Sequence, residues 1–235
     1  MTRLLISSLV LSFTFWAAAY GHHGKKYLVT SSYDLPHRGS LYALFASDVR
    51  NIDGNKSYEF EPGILYGIHD WWEIEFHVHH GIENGEFHTE AVALETRFGL
   101  LGAFSEPEDH HTEDNSPFGV SLLLEYEKGL DDHPDNYEGR LIGGTEVGSY
   151  SVAGNLIWQH IFDDERSHET RYALGLKRTV SSVLGVGIEV DGNFSSPTYA
   201  RITPGVYVSV EELDIKLGTS IGVSPNSEHT TLRFA

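Results

Sequence analysis

Residues 71–80 read Trp-Trp-Glu-Ile-Glu-Phe-His-Val-His-His, a stretch in which side chains change character at every step. A strand sends successive side chains to opposite faces. Trp72, Ile74, Phe76 and Val78 therefore share one face, and Glu73, Glu75, His77 and His79 the other. One such strand suits any sheet with a wet side. Here the alternation returns about every ten to fifteen residues, behind an apolar leader and in a chain with 0 cysteines. Repeated two-faced strands separated by turn residues are the signature of a transmembrane β-barrel.

The leader has the parts of a secretory signal. Arg3 carries the positive charge, residues 4–19 are uncharged and mostly apolar, and Ala17-Ala18-Ala19 or Ala19-Tyr20-Gly21 offers small residues for cleavage. Residues 1–21 are accordingly read as a signal peptide for the general secretory pathway. Residues 22–235 are read as one outer-membrane barrel domain, with 22–36 a periplasmic or lumen-plugging segment. The leader is too short for a convincing membrane helix. Its removal takes away Arg3 and no acid, so the net charge moves from −18 to −19. A chain this acidic is a poor candidate for nucleic-acid binding, which needs clustered Lys and Arg. The absence of cysteine excludes disulfides, thiolate metal sites and a cysteine nucleophile.

The pattern predicts twelve strands, at residues 38–51, 56–68, 71–81, 86–100, 117–128, 136–148, 149–162, 167–179, 182–193, 198–210, 211–223 and 228–235. The fold class is all-β, an up-and-down antiparallel barrel. Tight turns are expected near His69-Asp70, Gly148-Ser149, Val180-Ser181 and Glu211-Glu212. Longer polar loops are expected after the odd-numbered strands, such as Asp53-Gly54-Asn55 and Glu83-Asn84-Gly85. Short turns at one end and loops at the other match an outer-membrane barrel with its turns in the periplasm. Tyr66, Trp71, Trp72, Tyr126, Tyr150, Trp158 and Phe162 are placed to form interfacial girdles. In a soluble β-domain the same aromatics would fill the core. Two features depart from the pattern. The connection at about 101–116 is long, acidic and His-bearing where a turn is expected. The last segment, 228–235, is shorter than the 9–11 residues of a spanning strand, which predicts a natural chain that continues beyond Ala235.

Two stretches carry a family resemblance. They are His22-His23-Gly24-Lys25-Lys26-Tyr27 and Phe60-Glu61-Pro62-Gly63-Ile64-Leu65-Tyr66-Gly67-Ile68-His69-Asp70-Trp71-Trp72-Glu73-Ile74-Glu75. The second resembles the strand–turn–strand unit of outer-membrane barrels of the phenol-degradation-pathway transporter type and of related uncharacterised barrels. The resemblance implies an outer-membrane location and passage of small molecules. It implies no catalytic residues.

The face opposite the apolar one is expected to line a lumen with Glu59, Glu61, Glu73, Glu75, His77, His79, Glu95, Arg97, Glu125, Arg140, Arg171, Glu189 and Arg201. A surplus of carboxylates along a water-filled path favours cations. The same residues could equally form cross-strand ion pairs that fill and stiffen a narrow barrel. His77 and His79, one strand step apart on one face with Glu73 and Glu75, are candidate metal ligands for Zn, Cu or Ni. Spacing alone supplies no third ligand. Hydrolase readings are weaker: His160 and Ser151 fall on opposite faces, and Asp163-Asp164 with His160, or Asp132-His133, has no diagnostic spacing. The expected function is a non-enzymatic channel or facilitator for a small solute, without a cofactor. Its partners are outer-membrane lipid, the solute and the barrel-assembly machinery, and no nucleic acid. A closed-lumen structural or metal-binding barrel is the first alternative, an outer-membrane hydrolase the second.

Overall fold

The computed structural model describes residues 27–235 except 53–54, 84, 103–117, 131–132, 163–166, 196, 212 and 228–229. The signal segment, His22-His23, His110-His111 with nearly all of the 101–116 connection, Asp132 and Asp163-Asp164 lie outside the described residues.

Twelve antiparallel strands follow one another around a closed barrel. They are β1 (Leu41–Ile52), β2 (Asn55–His69), β3 (Trp72–Glu83), β4 (Glu86–Leu101), β5 (Phe118–Gly129), β6 (Asn136–Val147), β7 (Tyr150–Ile161), β8 (Ser167–Thr179), β9 (Leu184–Asn193), β10 (Ala200–Val210), β11 (Leu213–Gly222) and β12 (Thr230–Phe234). Each strand pairs with its neighbours in sequence, and β12 closes on β1 through Ser47↔Phe234 to Arg50↔Thr231. Closure leaves no long unpaired edge, the one arrangement in which a sheet can satisfy its backbone in hydrocarbon.

The alternation read from the sequence decides which way each strand faces. Ile64, Phe76, Leu94, Leu174 and Leu217 point outward and are about half exposed. Glu73, Glu75, His77, Glu95 and Arg97 point inward and are buried. An apolar exterior around a charged interior inverts a soluble domain, whose surface rarely carries a continuous apolar band. Trp71, Trp72 and Phe98 stack on one another at the barrel end that carries the tight turns. Tyr126, Tyr137, Trp158 and Phe162 are exposed toward the other end.

Several details differ from expectation. β1 begins at Leu41 rather than 38, because Gly39 takes a left-handed backbone (φ 84°) and hands its N–H to the Gly67 carbonyl at 2.7 Å. Trp71 belongs to the turn, and β3 begins at Trp72. Connections 53–54 and 84–85, expected as loops, are as short as the turns, since the strands themselves extend there: β2 has 15 residues and β4 has 16. Two prolines sit inside strands at a local cost. Pro62 pairs with Phe45 of β1, and Pro204 with Ile188 of β9, while the ladder skips each on its other side. A residue without an N–H is tolerated only where one neighbour does not need it.

At the loop end, Asp135 clips the β5–β6 connection. Its carboxylate accepts from Lys128 Nζ at 2.8 and 3.0 Å, Tyr126 Oη at 2.8 Å and Gly129 N at 3.2 Å. The hydrogen bonds from the Lys128 ammonium, then from the Tyr126 hydroxyl, hold the Asp135 carboxyl below its ordinary range. A lowered value means the clip is complete above the usual Asp range and is lost as pH falls through that lowered value. Limited proteolysis should therefore find the connection protected at neutral pH and open in strong acid, with Asp135→Asn open throughout. Equal cutting of the two proteins at neutral pH would show that Asp135 holds nothing.

Candidate functional site in the barrel lumen

The residues before β1 run inside the barrel, against the half of the lumen nearest the turns. Such a segment has backbone groups to satisfy in a dry place. The N–H groups of Leu28, Val29 and Thr30 converge on the Glu189 carboxylate at 2.7, 2.8 and 2.7 Å. Consecutive amides aimed at one anion form a nest. The Tyr207 hydroxyl donates to the same carboxylate at 2.8 Å. Ser31 then exchanges two bonds with Asn155, its N–H donating to Oδ1 at 2.7 Å and its carbonyl accepting from Nδ2 at 2.9 Å. Arg97 donates to the Ser32 carbonyl at 2.6 Å, and Arg140 to Ser31 Oγ at 2.5 Å. Tyr27 Oη lies 2.9 Å from Ser151 Oγ.

The wall leaves room for this segment by omitting side chains. A Cβ on Gly119 would fall 2.0 Å from the Tyr33 ring, and one on Gly144 2.7 Å from its other edge. A Cβ on Gly175 would meet the Tyr27 ring at 2.7 Å, and one on Gly218 the Leu28 methyl at 2.4 Å. These glycines are sockets in which close approach requires the absence of a side chain.

Beyond the segment lies a cavity of about 780 Å³. Its lining includes Glu59, Glu61, Glu75, His77, His79, Glu95, Glu125 and Glu127 on one side, Arg140, Arg171, Arg201 and Arg233 on the other, and residues 27–31. The charges are unevenly spread. β2–β5 carry most of the cavity's carboxylates, with Arg97 as their only arginine, whereas β1, β6, β8, β10 and β12 each contribute an inward arginine. Most arginines have a cross-strand acid. Arg97 meets Glu73 at 2.5 Å, Arg201 meets Asp191 at 2.6 Å, Arg233 meets Asp48 at 2.7 Å and Arg50 meets Glu59 at 2.6 Å. Glu138 takes both Arg140, at 2.6 Å, and Arg171. Glu95 and Glu125 lie within electrostatic reach of Arg140. Of the thirteen residues expected on the lumen face, ten line this cavity, and Glu73, Arg97 and Glu189 do not. Those three are buried, and Arg97 and Glu189 bond directly to the inner segment.

The histidines have company that spacing does not reveal. His77 Nε2 is 3.6 Å from Glu61 Oε1, and His79 Nδ1 is 3.9 Å from Glu61 Oε2. The outer nitrogens face other acids: His77 Nδ1 lies 3.2 Å from Glu75 Oε1, and His79 Nε2 3.4 Å from Glu127 Oε2. Glu73, grouped with them by sequence alternation, instead pairs with Arg97. The Ser151–His160 pair does not assemble: Ser151 meets Tyr27, and His160 Nδ1 meets His168 Nδ1 at 3.1 Å.

Sequence reasoning missed the receiving side of the inner segment: Asn155, Ser151, Tyr207 and the socket glycines. A usable signal was present, since Gly119, Gly144, Gly175 and Gly218 all fall on inward positions where charged residues are otherwise common. Inward glycines in a barrel mark where something else approaches the wall.

A closed antiparallel barrel of twelve strands with an apolar exterior and an ionised interior has the fold of the outer-membrane β-barrels. Among solved structures the chain is similar to KdgM porin, with a TM-score of 0.52 and 12% identity over 81% of this chain and 96% of that one. It is also similar to the translocator domain of autotransporter NalP from Neisseria meningitidis, with a TM-score of 0.48 and 14% identity over 83% of this chain and 85% of that one. No protein-family model and no curated protein matches the chain.

Proposed function

We propose that this protein is a bacterial outer-membrane channel or facilitator for small solutes, exported through the secretory pathway, in which the inner segment sets the conductance. The observation that carries the reading is the charged cavity of about 780 Å³ enclosed by the barrel and bounded by residues 27–31. Twelve strands lie between the filled eight-stranded barrels and the open sixteen-stranded porins, so a small obstruction decides passage. The carboxylates of β2–β5 outnumber the lysines and arginines on that wall, which favours cations. A barrel of the same fold bears the name porin, in keeping with this role. Kinship with the phenol-degradation-pathway transporter type rests on the two stretches quoted above. Chemistry on substrate has no part in this reading.

The burial of so much charge and the tethering of residues 27–32 favour a second reading, a barrel that stays shut and serves as a rigid scaffold. Planar-bilayer recording on refolded mature protein distinguishes the two. The channel reading expects small discrete current steps and, in a KCl gradient, a reversal potential of cation-preferring sign. Silence from the wild type and from a variant lacking residues 27–36 alike would leave the scaffold reading standing.

A further inference from the structure

We propose that Glu61, His77 and His79 form a binding site for a divalent transition-metal cation of the zinc class on the acidic wall of the lumen. One ligand atom from each lies within 4.8 Å of the others. A tetrahedral zinc site with bonds of about 2.0–2.1 Å sets its ligand atoms roughly 3.4 Å apart. The nearest His77–Glu61 and His79–Glu61 approaches are 3.6 and 3.9 Å, to the two different carboxylate oxygens, and with one atom from each residue all separations stay within 4.8 Å, so side-chain rotation has at most about 1.4 Å to close on that edge. The positions are set by the sheet. His77 and His79 share the inward face of β3, and Glu61 stands beside them on the paired strand β2.

What distinguishes this cluster from a chance gathering of polar residues is the second layer. Each imidazole turns one nitrogen toward Glu61 and presents the other to a separate carboxylate, Glu75 for His77 and Glu127 for His79. A metal-bound histidine nearly always donates its far N–H to a carboxylate, carbonyl or water, which fixes the tautomer and strengthens the ligand. Here a carboxylate oxygen stands 3.2 Å from the outer nitrogen of His77 and 3.4 Å from that of His79, distances from which a small ring rotation makes that bond. The two rings meet edge to face with centroids 5.0 Å apart, so neither blocks the other's inner nitrogen. Both rings also line the large cavity, leaving the fourth coordination position to water. Imidazole with carboxylate selects zinc, copper or nickel over magnesium, which keeps an all-oxygen octahedral shell.

The test is isothermal titration of zinc chloride into the full mature chain refolded in detergent micelles, with magnesium chloride in parallel. It does not depend on whether the barrel conducts. The expected result is one saturable zinc site per barrel and no matching magnesium heat. The His77→Ala/His79→Ala pair should weaken zinc by at least about tenfold, and Glu75→Gln and Glu127→Gln by roughly 10–100-fold each. Glu61→Gln, which keeps shape and volume, covers the case in which the double alanine variant does not refold. The exposed His160–His168 pair supplies the control, and its alanine variants should leave the site unchanged. Equal zinc and magnesium binding, or zinc binding that survives both the His77/His79 and Glu61 changes, would overturn the proposal.

Discussion

Replacing Glu189 with glutamine is expected to raise the single-channel conductance several-fold and to make residues 27–36 accessible to protease. The carboxylate is fully buried and accepts three backbone N–H groups and the Tyr207 hydroxyl. Hydrogen bonds to a charged acceptor contribute about 1.5–3 kcal/mol each. Glutamine keeps the size but replaces one acceptor oxygen with an NH₂ aimed at groups that are themselves donors. Leucine removes the acceptor altogether. Either change leaves buried amides unsatisfied, and the segment recovers its hydrogen bonds by leaving for water. Gly119→Val attacks the same inner segment from another part of the wall, since even its Cβ would lie 2.0 Å from the Tyr33 ring, with Gly144 behind that ring on the far side. The two variants should act alike and should approach the current of a 27–36 deletion. If the deletion conducts and both substitutions match the wild type, Glu189 is not the latch.

Arg97→Met should destabilise the barrel by about 3–5 kcal/mol, the usual result of removing one partner from a buried ion pair. Both members are almost wholly inaccessible, Arg97 at 2% and Glu73 at 1%, and they face each other directly across the β3–β4 ladder. Without the guanidinium, Glu73 keeps a buried carboxylate next to Glu75 and Glu95, its two acidic neighbours. Ser32 also loses the donor that holds its carbonyl. The companion change Glu73→Gln removes the stranded charge, so the double variant should recover a large part of the loss. The readout is the denaturant midpoint of refolded protein in micelles, followed by heat-modifiable gel migration. A loss below about 1 kcal/mol, the range of exposed pairs, would contradict the burial of this one.

The barrel was legible because its signal is periodic. In residues 71–80, the outward-facing and inward-facing sets separate by counting in twos, and no long-range contact can reverse that assignment without a register slip. The same counting places twelve segments, and the shared up-and-down path follows from their short connections. Boundaries were less legible, since Gly39 and the elongated β3–β4 hairpin depend on partners in neighbouring strands. The inner segment was visible only as a possibility. Leu28 to Ser32 has no periodic pattern, and its destination depends on Glu189, 159–161 residues away.

The order of the residues therefore sets the alternation and the strand count, because both are local properties of neighbouring residues. Tertiary structure alone decides the pairings. Glu73 goes to Arg97, Glu61 and Glu127 come to the two histidines, and Glu189 captures a stretch of backbone. The physical reason is geometric. Strand register sets Glu73 against Arg97 and Glu61 beside the histidines, and barrel closure brings Glu189 to a stretch of backbone far away in the chain, where low dielectric makes each pairing strong and each unpaired group costly. The residues 71–80 carry both kinds of information: their faces come from the order of the residues, and their chemistry from what the closed barrel sets beside them.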